Sequence, residues 1–538
     1  MKKLPVGIQT FRKIIEGEYL YADKTGYIYD LIQGGSYYFL SRPRRFGKSL
    51  FLDTMAEVFG GARELFDGLL IDETDYGWER HPVLRIDMTQ VDARDSVTFE
   101  KELAGMMREK AAAEGVALSG DTPASLFRGL IEALREKHGR NVVVLIDEYD
   151  KPIIDHIDEP EKAEANRESL GYFYGILKGQ DANLRFVFLT GVSKFTKLSL
   201  FSKLNNLEDL TMWEKYAGVC GFTEREFDAL FADRIPAYRE SRKEAGGRDG
   251  SKSDAEIRDL IFRWYDGYTW DGETRVFNPF SLLNFFNNNK YRAYWYATGA
   301  PAFLVKAFRE RPYEYAQIQE TGINELVLDS HNIENAPLVS LLFQTGFLTV
   351  KSIEEGPPEE YTIGFPNTEV SESIGQLYLS TVTGAVDPLS VSFIKEARKA
   401  LDAGEPERLE APLNGLYASI PYQLHREEEA YYHSIFLAAL QFLGFRILGE
   451  VSTAEGRVDG VLDRPNGMSY VIEFKYTKAD DDADADAIEK LLDDGIAKAF
   501  KQIEKRDYAK RYSGSAHTVF KIAIAVAGRG RVRVCTRK

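Results

Sequence analysis

The chain has 538 residues, 44% of them hydrophobic and 28% charged, with a formal net charge of −16. That mixture suits folded domains rather than a disordered polymer, and the length suggests roughly three or four of them. Two distant cysteines, Cys220 and Cys535, argue against a disulfide framework or a clustered zinc site. The stretch MKKLPVGIQTFRKIIEGEYLY has no apolar core of the signal-peptide kind, and no apolar run has the length of a membrane span, so the expectation is a soluble, cytoplasmic protein. The acidity is uneven. From residue 411 onward 19 basic residues face 18 acidic ones, and from residue 498 onward 12 face two. A local basic surface able to meet phosphates is therefore compatible with the global charge.

Up to about Leu210 the pattern is α/β. SYYFLS (Ser36–Ser41) predicts a strand and SLFLDTMAEVF, after Lys48, a helix. HPVLRIDMT, NVVVLIDEYD and LRFVFLTGVS predict further buried strands. Between the first strand and its helix stands SRPRRFGKSL (Ser41–Leu50), the end of a Walker A motif in which Arg42 takes the place of the first glycine. Such a loop turns backbone N–H groups and a helix N-terminus toward phosphate oxygens. Arg44, Arg45, Phe46, Gly47, Lys48, Ser49 and Leu50 are the expected nucleotide contacts. Gly47 permits close backbone approach, Lys48 reaches the outer phosphates, and the Ser49 hydroxyl ligates Mg2+. Arg42 and Pro43 demand a different and stiffer entry to the loop. Asp147, at the end of VVVLID, is expected to hold Mg2+ through its water shell, and Glu148 to polarise the attacking water. Thr190 or Ser193, ending the next strand, could sense the γ-phosphate.

From about Trp213 to Glu410 the chain reads as helical and aromatic, with no catalytic pattern and with aromatics of the core kind. Polar, turn-rich stretches near 239–256, 354–360 and 403–410 mark joints, and one near 479–487 marks an exposed loop. The expected domains are 1–212, 213–410 and 411–538. The last begins with a helix, EEEAYYHSIFLAALQFLG, followed by three strands, a second helix and the strand TVFKIAIAVA. Within it, GRVDGVLDRPNGMSYVIEFKYTK (Gly456–Lys478) predicts a hairpin. Pairing across its turn puts Asp459 opposite Ile472 or Glu473, a choice of one residue of register. Glu473 and Lys475 share a face of their strand. An Asp, a Glu and a Lys at one patch suit metal-assisted phosphodiester hydrolysis, with carboxylates holding Mg2+ or Mn2+ and the lysine steadying water or phosphate oxygens. A cross-strand salt bridge on a solvated hairpin would use the same residues.

Taken together, these motifs resemble a bacterial AAA-ATPase-like family. The resemblance rests on GIQTF (Gly7–Phe11), YADKT (Tyr21–Thr25), RPRRFGKS, LIDEYD, LTGVSKF and LNNLEDLT (Leu204–Thr211). It extends through WYDGYTW (Trp264–Trp270), FNPFSLL (Phe277–Leu283) and LLFQTGFLTV (Leu341–Val350). It implies an α/β protein: a P-loop, parallel-sheet ATPase domain in which Arg42 fits the pattern, a helical lid or winged-helix-like middle region, and a restriction-endonuclease-like C-terminal domain. The last resembles the PD-(D/E)XK nuclease superfamily, which makes Asp459, Glu473 and Lys475 catalytic. Glu429 then matches an acidic position that completes the metal site, and Glu450 another recurrent acid. Gln502 and Tyr508 fall near a Gln…Tyr motif, though more widely spaced, and His433 reads as a helix-face residue. Arg529, Arg531 and Arg533 would contact nucleic acid. The expected function is an ATP-binding and ATP-hydrolysing protein that controls a Mg2+- or Mn2+-dependent nuclease acting on nucleic acid, DNA in the first instance, with self-association left open. The alternative is a nucleotide-dependent switch or scaffold whose nuclease-like domain binds nucleic acid without cutting it.

Overall fold

A computed structural model describes residues 1–157, 159–192, 206–296, 302–312, 315, 318, 321–324, 328, 337–384, 391–442, 447–453, 456–463, 468–480, 483–505 and 518–537. The chain divides into two compact units, Met1–Trp295 with Ile323–Tyr361, and Tyr296–Gly322 with Thr362–Lys538.

In the first unit, β1 (Tyr37–Ser41), β2 (Val83–Asp87), β3 (Val142–Asp147), β4 (Leu184–Gly191) and β5 (Glu208–Asp209) form a parallel sheet in the order β2-β3-β4-β1-β5. The runs YYFLS and VVVLI are buried throughout, as strands covered on both faces must be. Helices α1 (Lys48–Phe59), α2 (Ser96–Ala113), α3 (Pro123–His138) and α4 (Pro160–Gly179) connect the strands. Phe99, Leu103, Phe127, Leu130 and Phe173 on three of these helices share one core with Val142, Val144 and Ile146 of β3. Helix α3 begins where Thr122 and Ser125 cap each other's backbone ahead of Pro123, and it ends at Gly139 with φ 63°. Because the sheet is parallel, the carboxyl ends of β1, β3 and β4 share one edge, the usual ligand edge of an open α/β sheet.

The rest of this unit is an aromatic core. Strands β6 (Phe222–Thr223) and β7 (Val276–Phe277) pair antiparallel beside α5 (Glu224–Phe231), α6 (Asp254–Tyr265) and α7 (Pro279–Asn288). Phe227, Phe231, Tyr265, Phe277, Phe285 and Phe286 pack together there; these rings stabilise the unit by burial and are not open platforms for bases.

In the second unit, α8 (Thr368–Thr383) packs against α10 (Glu429–Phe442), with α9 (Glu410–Ala418) between them in sequence. A mixed sheet follows in chain order: β8 (Ile447–Thr453), β9 (Gly456–Asp463), β10 (Met468–Thr477), β11 (Thr518–Ala527) and β12 (Arg531–Arg537). Its one parallel pair is β10 with β11. Of the basic stretch that begins at residue 498, Arg531–Arg537 is the edge strand of this sheet. Gly528 (φ 57°) and Gly530 (φ 100°) make the turn into it, and Val532 and Val534 are buried on one face. Helix α11 (Ala485–Lys505) lies on the other face, with Ala499, Phe500 and Ile503 against Val461, Val471 and Ala523.

Gly495 lets α11 come close to the sheet: a Cβ there would stand 2.9 Å from the Ala525 Cβ. Gly495→Val is expected to destabilise the second unit by about 1–3 kcal/mol. A lowered melting transition in calorimetry checks this, and an unshifted one would mean that the helix has room to move.

Candidate functional site

The turn from β1 into α1 needs two left-handed residues, Arg45 at φ 70° and Gly47 at φ 99°. Beyond its chain neighbours, no atom of the described residues lies within 4 Å of where a Gly47 Cβ would be, so its requirement is conformational rather than steric. Lys48 is 3% exposed. Its Nζ donates to the carbonyls of Arg42 at 3.0 Å and Pro43 at 3.2 Å, and it stands 3.3 Å from Glu148 Oε1. Glu148 is itself left-handed, at φ 51°, a conformation that a non-glycine residue holds only when its surroundings enforce it. Asp147 Oδ1 accepts from the Thr190 hydroxyl at 2.6 Å and from the Glu148 N–H at 3.1 Å. Since β4 lies between β1 and β3, Thr190 is the hydroxyl that reaches Asp147; Ser193 lies outside the described residues.

The DEYD run therefore splits. Asp147 and Glu148 face the loop, whereas Asp150 is buried and receives the Val192 N–H at 3.2 Å. A Cβ on Gly191 would come within 2.6 Å of Asp150 Oδ1 and 2.4 Å of the Tyr149 ring, which accounts for the glycine at the end of β4. Ser49 and Leu50 sit half-buried in the first turn of α1, and Arg44 and Arg45 are exposed. Arg42 turns into the protein. It is fully buried, donating to the carbonyls of Ser41 and Thr211 at 2.9 Å and of Tyr216 at 3.2 Å, and burial pushes its pKa down to about 10.

The second cluster forms where β9 and β10 part. Gly460 pairs with Ile472, and the same register puts Asp459 opposite Glu473. Beyond that pair, the Phe474 N–H donates to Asp459 Oδ2 at 2.7 Å, and the Tyr476 N–H to Glu429 Oε2 at 2.9 Å. The carboxylates thus take the place of a partner strand, and Glu429 arrives from the first turn of α10. Lys475 joins all three acids. Its Nζ is 2.9 Å from Glu473 Oε1 and 3.8 Å from both Asp459 Oδ2 and Glu429 Oε1, and it donates to the Phe474 carbonyl at 2.7 Å. Burial would lower the Lys475 pKa, but the three carboxylates outweigh it and raise it. The Glu473 side chain is wholly buried, whereas Asp459 and Glu429 reach solvent. With the ammonium among them, no three acidic, His or Cys groups close on a metal among the described residues.

Residues 5–201 match the family model described as "Predicted AAA-ATPase", and residues 427–535 match that of the PD-(D/E)XK nuclease superfamily. The chain is 38% identical over 511 residues to "Uncharacterized protein in vnfD 5'region" of Azotobacter chroococcum mcd 1, an alignment covering 93% of this chain and 94% of that protein. The chain belongs to the AAA-ATPase-like family. The first match of this AAA-ATPase-like protein spans the loop, Asp147, Glu148 and Thr190, and the second spans Glu429, Asp459, Glu473 and Lys475.

Other expected site residues are more scattered. Gln502 is half-buried on α11, Arg529 and Arg531 are exposed, and Glu450 lies in β8. Arg533 is ion-paired with Glu489 and Asp493 of α11; Tyr508 lies outside the described residues. Two contributions escaped the sequence reading. One is the inward turn of Arg42. The other is His433, which is on a helix face as expected but whose Nε2–H donates to the Asp459 carbonyl at 3.0 Å. The signal for His433 was its place one helical turn after Glu429.

Asp266, in the WYDGYTW run, is 7% exposed, and its Oδ1 has no hydrogen-bond partner among the described residues. Burial raises its pKa to about 6, against the opposing effects of the Gly267 N–H and the Arg275 charge. A raised carboxyl pKa means that the unfolded chain loses this proton first. The associated stability is therefore full below about pH 4 and is lost as pH rises through about 6. Asp266→Asn is expected to stabilise the protein at pH 7.5 by about 2–3 kcal/mol and to change little at pH 4. Thermal melts at the two pH values check this; equal shifts would show that the charge of Asp266 is not the cause.

Proposed function

We propose that this protein binds and hydrolyses ATP in its first unit and uses nucleotide state to control a metal-dependent phosphodiester hydrolase in its second. The observation that carries the hydrolase is the gathering of Glu429, Asp459 and Glu473 around the Lys475 ammonium. Three carboxylates are the hard oxygen donors that Mg2+ or Mn2+ takes, and Asp459 and Glu473, with Glu429, would hold the ion. When bound, it supplies an activated water and neutralises charge developing at phosphorus. Lys475 orients the water or steadies the phosphate oxygens, while His433 and the Phe474 N–H fix the position of Asp459.

In the ATP site, Lys48 exchanges the Arg42 and Pro43 carbonyls and Glu148 for the outer phosphates. Glu148, released from Lys48, polarises the attacking water. Ser49, Asp147 and Thr190 serve Mg2+ and the γ-phosphate, and the N–H groups opening α1 meet phosphate oxygens. Functional domains at 1–212, 213–410 and 411–538 go with this reading. So does action in the cytoplasm: Cys220 and Cys535 are free thiols, and no described helix is long and apolar enough to cross a membrane. DNA is the preferred substrate, with Arg529, Arg531 and Gln502 as its contacts.

One observation favours the second reading, a nucleotide-dependent switch that binds nucleic acid without cutting. Lys475 already offsets part of the charge of its three carboxylates, so some of the compensation that a metal ion would give is in place without one. The two readings separate in a cleavage assay on plasmid, linear DNA and RNA with Mg2+ or Mn2+. The parent should cut and Asp459→Ala should not, with ATP binding retained; no cutting by the parent under any nucleotide condition leaves the switch.

Lys48→Ala is expected to weaken ATP binding by roughly 10- to 100-fold, the value of a charge-assisted contact. Calorimetry checks it, and unchanged affinity would move the binding site elsewhere. Glu148→Gln should retain ATP and slow its turnover by roughly 10²–10⁴; turnover at the parent rate would remove Glu148 from that role.

A further inference from the structure

The segments WYDGYTW, FNPF and LLFQTGF, which carry no chemistry of their own, converge on the phosphate loop. Each loop residue from Arg42 to Phe46 has a partner among them or in nearby Trp295. The Arg42 guanidinium lies over the Trp270 ring at 3.9 Å, and that of Arg45 over Phe280 at 3.9 Å. Gly346 lies so close to Pro43 that a Cβ on it would come within 2.4 Å of the Pro43 Cβ. Trp295 Nε1–H donates to the Arg44 carbonyl at 3.0 Å. Phe46, 1% exposed, meets Tyr268 edge-on at 4.7 Å and Trp270 at 5.6 Å.

These partners form one packed body within the first unit. Thr269 and Thr349 bond each other through the Thr349 hydroxyl at 2.8 and 2.6 Å, and Trp295 packs on Phe347 at 4.9 Å. A glycine-rich loop reaches its turn through its own backbone freedom. Arg42 and Pro43 lack that freedom, so the loop conformation has to be held from outside.

Resting on the reading of this loop as the nucleotide site, we propose that Trp270 is its positioning residue, supported by Phe280 and Trp295, so that the middle region presets the geometry a glycine-rich loop encodes in its own sequence. Ordering the loop in advance removes a cost from nucleotide binding. By linkage, whatever displaces Trp270 weakens ATP binding, and ATP in turn steadies Trp270.

The test uses the full chain and two readouts. Trypsin cutting after the exposed Arg44 and Arg45 reports loop order without nucleotide, and a fluorescent ATP analogue reports affinity. Trp270→Ala is expected to speed cutting and weaken binding, each by roughly tenfold, with Trp270→Phe restoring most of both. Trp295→Phe, which removes the hydrogen bond to the Arg44 carbonyl and keeps an aromatic ring beside Phe347, should also speed cutting in a protein that still melts cooperatively; it keeps the test decisive if Trp270→Ala does not fold. Parent-like cutting and affinity in a folded Trp270→Ala overturns the proposal, as does parent-like cutting in Trp295→Phe if Trp270→Ala does not fold. A parent that binds no nucleotide refutes the nucleotide reading instead, and cutting alone then decides whether Trp270 holds the loop.

Discussion

A carboxylate buried in a protein needs a cation or hydrogen bonds at hand, or its charge is very costly. Glu473 is wholly buried, and Lys475 stands 2.9 Å from it. Much of the second unit's local structure follows from that pair. The lysine is long enough to reach Asp459 and Glu429 as well, so one ammonium ties together two strands and the start of a helix. The acids then serve as acceptors for N–H groups that no neighbouring strand takes. Three carboxylates are thereby held close together around one ammonium.

The first unit meets the same constraint with a different sheet. Lys48 is buried beside Glu148, and two loop carbonyls complete its shell. In both places a lysine pairs with acids at the parting or the ends of strands, and in both the proposed chemistry brings in phosphate that competes for that lysine. Arg42 is the contrasting case. It is a buried cation held by three carbonyls and the Trp270 face, with Asp209 and Asp271 near enough to act on its charge. It belongs to the framework of the loop.

The parallel sheet, the loop, the acid pair and the hairpin were legible because each is a local pattern: continuous apolar runs, G-K-S after a strand, acids ending a strand, R-P-N-G between strands. The register of the hairpin was not, since alternation fixes which residues share a face but leaves a slip of one residue open; the Gly460–Ile472 pair resolves it. The role of Arg42 was hidden because its partners Thr211, Tyr216 and Trp270 lie far along the chain. The strand at the C-terminus is not legible in the sequence because its arginines dominate the composition. The structure shows instead that alternate valines are buried and that Arg533 pairs with acids on α11.

The central claim is that nucleotide in the first unit governs cutting by the second. It is tested most directly by the rate of Mg2+-dependent plasmid cleavage with ATP, with a non-hydrolysable analogue and without nucleotide, in the parent and in Lys48→Ala. The account predicts a parent rate that changes with nucleotide state and a Lys48→Ala rate that does not. Cleavage by the parent that is identical in all three conditions would contradict it.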